Sequence, residues 1–215
     1  NGKSLENDLF PKVIEEKKIY GYLTNKQFID IGTTKDFLKT EKFLEKNFPK
    51  PCAFLDRDGV INKDDGYFYK VKDFHWMPNI RTLIKYLNKK GYLIIVVSNQ
   101  SGVGRGLYSK KKVIQIENYI LSSLKKIKAK IDKFYYAFYY KYSNNLIYRK
   151  NKYLRKPKEG MFVKACEEFE INKKKSFMIG DKLIDKKFSI KSNLKFFYYN
   201  DHFKKEILKI KKFIN

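Results

Sequence analysis

A chain of 215 residues that is 43% hydrophobic and 17% aromatic can bury a sizeable core, which excludes an intrinsically disordered or low-complexity protein. Two cysteines exclude a disulfide framework and a four-cysteine zinc site, no apolar run reaches the roughly 18–20 residues needed to span a bilayer, and the opening NGKSLENDLF has no signal-peptide core, so a soluble, cytoplasmic protein is expected. The formal charge of +25, from 48 Lys+Arg against 23 Asp+Glu, suits anionic ligands from nucleic acid to phosphorylated metabolites, but the lysines are scattered among Ile, Asn, Phe and Tyr as on a solvated, codon-biased surface.

The chain starts at Asn1 without Met and reads from its first residues like the middle of something longer. Residues 8–18, with Leu9, Val13 and Ile14, have the spacing of an amphipathic helix, and 19–33 suggest two short strands around a Thr24-Asn25 turn. Thr33-Thr34 then caps a helix carrying Phe37, Leu38, Phe43 and Leu44, which Phe48-Pro49-Lys50-Pro51 terminates. A domain junction is expected at 46–51. The expected organisation is a small α+β appendage over 1–48, a main domain over 51–200 and a basic C-terminal helix over 201–215.

Beyond Pro51, short apolar runs at 52–55, 93–97, 134–139, 177–179 and 195–199 alternate with helical segments at 79–90, 110–128, 160–169 and 182–191. This alternation predicts an α/β fold with a doubly wound parallel sheet, whose ligands sit beyond the carboxyl ends of the strands. The polar residues just after each strand are therefore the candidates for chemistry.

The first strand is followed by Asp56-Arg57-Asp58-Gly59, in which two carboxylates can face one cavity while the glycine permits a close turn. Taken alone it is either a metal or acid–base site or an ordinary acidic turn. After the second strand, Ser98-Asn99-Gln100-Ser101-Gly102-Val103-Gly104-Arg105-Gly106 offers backbone N–H groups to an anion but matches neither a Walker loop nor GxGxxG. Arg155-Lys156-Pro157 precedes a helix and can fix a positive charge in a cavity, or be one more solvated lysine. After the fourth strand comes Gly180-Asp181-Lys182-Leu183-Ile184-Asp185, where an Asp opening a helix can cap it or bind a metal.

In order, DxDG, a strand-terminal Ser, Lys-Pro and Gly-Asp with an acid four residues on resemble the four motifs of the haloacid dehalogenase superfamily, across 52–185. The resemblance implies a HAD-like, Rossmannoid phosphatase with Asp56 as nucleophile, Asp58 as general acid/base, and Ser98 and Lys156 as phosphate binders. It also implies Mg²⁺ held by Asp56, the Asp58 main-chain carbonyl and Asp181, with Asp185 in support.

FLDRDGVIN, DGY, VSNQSGVGRG, RKPKEGM and IGDKLID are more narrowly similar to the D-glycero-D-manno-heptose 1,7-bisphosphate phosphatases and the related histidinol-phosphate phosphatases. This similarity implies a phosphorylated sugar substrate bordered by Asn62, Asp64, Gly66 and Tyr67. Asn99, Gln100, Ser101 and Arg105 would contact it from the second loop, and Arg155 and Lys182 would hold a second phosphate or hydroxyls. Members of this family commonly carry a Cys/His zinc loop, but its places hold Ala137, Tyr139, Lys152 and Leu154, so no structural zinc is expected and packing through Tyr139, Tyr140, Tyr142 and Tyr148 replaces it. Residues 4–37 resemble the closing segment of sugar-phosphate nucleotidyltransferases, which implies covalent fusion to an upstream domain of that kind. The rival readings are histidinol-phosphate phosphatase, a polynucleotide 3′-phosphatase and a non-catalytic binding module. No RNP or helix-turn-helix pattern supports nucleic acid as a partner, and no membrane partner is expected.

Overall fold

The fold follows from where the apolar runs fall. The computed structural model describes residues 4–17, 19–21, 28–29 and 31–215 and divides into two units, 1–47 and 48–215. In the first unit, a π-helical turn at Leu5–Leu9 runs into α1, Phe10–Glu15. Pro11 is tolerated in the first turn of α1, where its missing N–H has no partner to lose, and Lys17 at φ 54° ends the segment, so the helix is shorter than the 8–18 expected. The described residues of 19–33 form no strand, and the expected Thr24-Asn25 turn lies outside the described residues. Helix α2, Thr34–Asn47, is capped as its sequence suggests: Thr33 Oγ1 accepts from Asp36 N at 3.1 Å.

The second unit is a five-stranded parallel sheet in the order β3-β2-β1-β4-β5, formed by β1 Cys52–Leu55, β2 Leu93–Asn99, β3 Lys133–Ala137, β4 Phe177–Gly180 and β5 Lys195–Tyr198. The chain starts at the central strand, winds outward through β2 and β3, then returns to β4 on the other side of β1. This reversal is the switch point at which doubly wound sheets place ligands. Both faces are covered, as the buried apolar strands β1 and β4 require. Successive residues alternate between two cores: Ala53, Leu55, Ile94, Val96, Phe177 and Ile179 face one, while Cys52, Phe54, Ile95, Val97 and Met178 face the other.

The first core is closed by α3, Ile80–Lys89, by α5, Lys110–Lys125, and by α9, Phe203–Ile214. The apolar residues meet it at helical spacing: Ile80, Leu83, Ile84 and Leu87 from α3, Ile116, Ile120 and Leu124 from α5, and Phe203 and Ile210 from α9. The second core is closed by α7, Gly160–Glu168, and α8, Leu183–Lys191, through Met161, Phe162, Ala165 and Phe188. Short α4, Ser101–Gly104, and α6, Ile147–Lys150, flank the loops above the sheet.

Strand β2 runs two residues further than its apolar run because Ser98 and Asn99 pair with Tyr136 and Ala137 of β3. Strand β3 stops two residues short of the expected end, and the amide of Tyr140 turns instead to the carbonyl of Tyr148 at 3.0 Å. Among the described residues no helix is long and apolar enough to cross a membrane.

Candidate active site

The carboxyl ends of β1, β2 and β4 lie side by side, with Leu55 in register with Val96 on one side and Ile179 on the other. The residues that follow these strands are thereby brought to one place. Asp56 stays tied to β4 by its amide, which donates to the Ile179 carbonyl at 3.0 Å, and the residue is only 7% exposed. Its Oδ1 accepts from the Arg57 amide at 2.7 Å and from Lys156 Nζ at 2.9 Å.

The chain then turns tightly, with the Ile61 and Asn62 amides both donating to the Arg57 carbonyl. Gly59 is required twice over in this turn: its φ is +91°, and a Cβ there would lie 2.2 Å from Asp181 Oδ2. Asp58, which follows Arg57, accepts from Asn62 Nδ2 at 2.9 Å, from Gln100 Nε2 at 2.6 Å and from the forked Arg57 guanidinium at 2.9–3.1 Å.

Lys156 reaches the centre from the loop before α7. Its ammonium, 1% exposed, bridges Asp56 Oδ1 and Asp185 Oδ1, the latter at 2.6 Å. Asp185 is fully buried on α8 and uses Oδ2 to accept the Lys182 amide at 3.2 Å, closing the helix N-terminus. Asp181, at the end of β4, keeps Oδ1 buried without a hydrogen-bond partner.

Burial dominates the electrostatics. It pushes the Asp56 carboxyl up to about 7, with Lys156 opposing and Asp185 adding to the rise, and it also raises Asp181. Lys156 loses by burial but gains more from Asp56 and Asp185, and ends above the ordinary lysine value. Lys182 is likewise raised against its own burial, by its ion pair with Asp64 and by Asp181.

One oxygen each of Asp56, Asp181 and Asp185 lie within 4.8 Å of one another. Carboxylate oxygens are hard donors that fit a small divalent cation such as Mg²⁺, and Asp181 has an Oδ1 buried without a hydrogen-bond partner. Of the three, Asp185 has both oxygens engaged, so it serves the cluster mainly by holding Lys156.

A cavity of about 220 Å³ opens at Asp56 and is walled by Asp56, Asp58, Asp64, Gly66, Ser98, Asn99, Arg155, Lys156, Lys182 and Ile184. The sequence-predicted residues are thus largely brought together. Arg155 is half-buried, with Nη1 lacking a hydrogen-bond partner, and its charge is disfavoured by burial and by Arg105 nearby. Asn62 is expected to border the substrate and Gln100 to contact it. Both are buried; their amide N–H groups are given to Asp58, and Gln100 Nε2 also reaches Ser98 Oγ at 2.9 Å. Tyr67, Ser101 and Arg105 lie outside the cavity wall, with the Arg105 guanidinium 4.1 Å from the Tyr140 ring centre and 5.8 Å from that of Tyr67.

Two residues of this site escaped the motif reading. Arg57 is buried beneath Asp58, and Tyr108 donates to Gln100 Oε1 at 2.8 Å, its ring filling the space that a side chain at Gly102 would need. For Arg57 a signal existed in its place between two aspartates, although arginine is ordinarily a surface residue. Near Ala137 and Tyr139, Phe138 packs edge-on to Tyr148 and Tyr140 to Tyr142.

A family model described as Polynucleotide kinase 3 phosphatase matches residues 52–203. The chain belongs to this family of haloacid-dehalogenase-type phosphatases. The phosphatase is 39% identical, over 62% of its own chain and 73% of the relative, to a D-glycero-α-D-manno-heptose-1,7-bisphosphate 7-phosphatase of Campylobacter jejuni subsp. jejuni. It is 37% identical, over 63% and 72%, to a D-glycero-β-D-manno-heptose-1,7-bisphosphate 7-phosphatase of Photorhabdus laumondii subsp. laumondii. Its fold also matches the crystal structure of D,D-heptose 1,7-bisphosphate phosphatase from B. bronchiseptica complexed with magnesium and phosphate, with a TM-score of 0.60 and 22% identity over 68% of this chain and 78% of the other.

Proposed function

We propose that this phosphatase removes the 7-phosphate of D-glycero-D-manno-heptose 1,7-bisphosphate through an aspartyl-phosphate on Asp56, with Mg²⁺ as its metal. The observation that carries the chemistry is the bridging of Asp56 and Asp185 by the buried ammonium of Lys156, beside Asp181 at the strand ends. The sugar is supported by the relatives of both anomeric names.

In the first step an Asp56 carboxylate oxygen forms a bond to phosphorus as the bond to the leaving oxygen breaks, and Asp58 gives that oxygen its proton. In the second, water bonds to phosphorus, the Asp56–phosphorus bond breaks, and Asp58 takes up the proton of the water. Lys156 and Ser98 hold the phosphoryl oxygens throughout, Lys156 offsetting their charge. Asp56 and Asp181, with the Asp58 carbonyl, would hold the Mg²⁺. When bound, the ion supplies charge that lets a carboxylate approach a phosphate dianion. Arg155 and Lys182, from opposite loops of the cavity wall, bind the remaining phosphate or hydroxyls, bidentately in the case of the guanidinium.

Asp56→Asn is expected to lose turnover while still binding inorganic phosphate. A substrate panel with and without Mg²⁺ tests the rest: both heptose bisphosphate anomers, histidinol phosphate and a 3′-phosphorylated oligonucleotide. The last belongs there because of the description of the matched family and the charge of +25. Fastest release from the oligonucleotide or from histidinol phosphate would overturn the sugar assignment.

Two further elements belong to the same proposal. Aromatic packing around Tyr140 and Tyr148 replaces a structural zinc, which stoichiometric zinc in purified protein would refute. Residues 1–48 are the closing part of a nucleotidyltransferase-like domain that would activate the heptose 1-phosphate product, which the full coding sequence tests.

A further inference from the structure

Arg57 is 1% exposed, although a buried guanidinium carries a large desolvation cost. It spends that cost narrowly. Nε and Nη2 donate to Asp58 Oδ1 at 3.1 and 2.9 Å, Nη2 also reaches Oδ2 at 3.1 Å, and Nη1 is buried without a hydrogen-bond partner. Around it stand Tyr108 and Tyr136, the latter donating its hydroxyl to Glu117 at 3.1 Å.

A buried ion pair with an unused donor is a poor device for stability, since apolar side chains of equal volume often do as well or better. A planar fork against a carboxylate does, however, fix orientation. Here it fixes a carboxylate at the wall of the cavity, and Asn62 and Gln100 hold the same two oxygens from other sides. Asp58 is thus held by three neighbours, of which only Arg57 spans both oxygens.

We propose that Arg57 is a positioning residue: without touching substrate, it aims the Asp58 carboxylate at the leaving oxygen and then at the attacking water. The inference rests on Asp58 being the acid–base group proposed above. Proton transfer tolerates little misalignment, so loss of the fork should act on both proton-transfer steps and leave attack by Asp56 intact.

The test compares Arg57→Met with Asp58→Asn in the whole Mg²⁺-loaded chain, on the heptose bisphosphate and on p-nitrophenyl phosphate. Nitrophenolate departs without a proton, so the aryl ester needs Asp58 only in the second step. Arg57→Met should lower kcat on the sugar phosphate about 100-fold. On the aryl ester it should give a burst approaching one nitrophenolate per active site before slow turnover, as should Asp58→Asn. Arg57→Lys keeps the buried charge but cannot span both oxygens; it should show the same burst with a smaller loss, and it decides the matter if Arg57→Met melts below the assay temperature. Equal losses on the two esters without a burst, in a folded variant, would overturn the role of Arg57 while Asp58→Asn still bursts. Normal turnover of the sugar phosphate by Asp58→Asn would overturn the acid–base reading and the inference with it.

Discussion

Asn99 and Lys156 hold one another by a reciprocal pair of bonds, Asn99 Nδ2 to the Lys156 carbonyl at 3.1 Å and the Lys156 amide to Asn99 Oδ1 at 3.0 Å. The end of β2 thereby fixes the main chain of the residue whose ammonium bridges Asp56 and Asp185. Asn99→Ala removes both bonds and leaves a partly buried amide and carbonyl unpaired, at about 1–3 kcal/mol. The lysine loop then loses its register against the sheet. The expected outcome is a fall in kcat of about 10- to 100-fold with a lowered Tm, read by steady-state kinetics and a thermal melt. A change confined to KM would instead make Asn99 a substrate contact.

Lys156→Met has a different signature. Asp56 and Asp185 are left as two buried carboxyls without the cation between them, and removing one partner of a buried pair costs about 3–5 kcal/mol. At neutral pH the metal-free variant should melt well below the parent, and Mg²⁺, which also neutralises the cluster, should recover part of the difference. Activity should stay about 100- to 1,000-fold down even with saturating metal, since the charge on the phosphoryl oxygens is not replaced.

Much of this site was legible because its parts follow strands. CAFL before DRDG, and FMIG before DKLID, each combine a fully buried strand with polar residues that the sheet must release at its carboxyl end. What could not be read was set by contacts between distant segments. The bonds that orient Lys156 come from Asn99, 57 positions away, and no local pattern distinguishes that lysine from the many on the surface. Asn62 and Gln100 are candidates from their neighbourhood in the motifs and Arg57 is not, but only burial and hydrogen bonding show that all three serve Asp58. The ends of β2 and β3 moved for the same reason, because the ladder between them, and not the apolar run of either, decides where pairing stops.

Gly59 provides a test of the metal cluster that leaves every carboxylate in place. In Gly59→Ala the methyl group would fall 2.2 Å from Asp181 Oδ2, and the φ of +91° adds backbone strain of about 1–2 kcal/mol. Asp181 must move, so Mg²⁺ affinity measured by titration calorimetry should drop at least about tenfold together with the melting temperature. Loss of stability with unchanged metal affinity would remove Asp181 from the set of ligands.

Metal binding should also depend on pH in a direction set by Asp56. Burial raises its carboxyl from 3.8 to about 7 in the metal-free protein, so the proton occupies the oxygen that a cation needs until the pH passes that value. Below about 7, Mg²⁺ affinity should fall roughly tenfold per pH unit if a single proton is displaced; above it, the affinity should level off. The linked stability runs the other way. A carboxyl whose folded value lies above its unfolded one favours the fold while protonated, so its contribution in the metal-free protein is complete below about 4 and is lost as the pH rises through about 7. Added Mg²⁺ should therefore raise the Tm more at pH 8 than at pH 6. A metal-induced shift that is flat across this interval would place the displaced proton elsewhere than on Asp56.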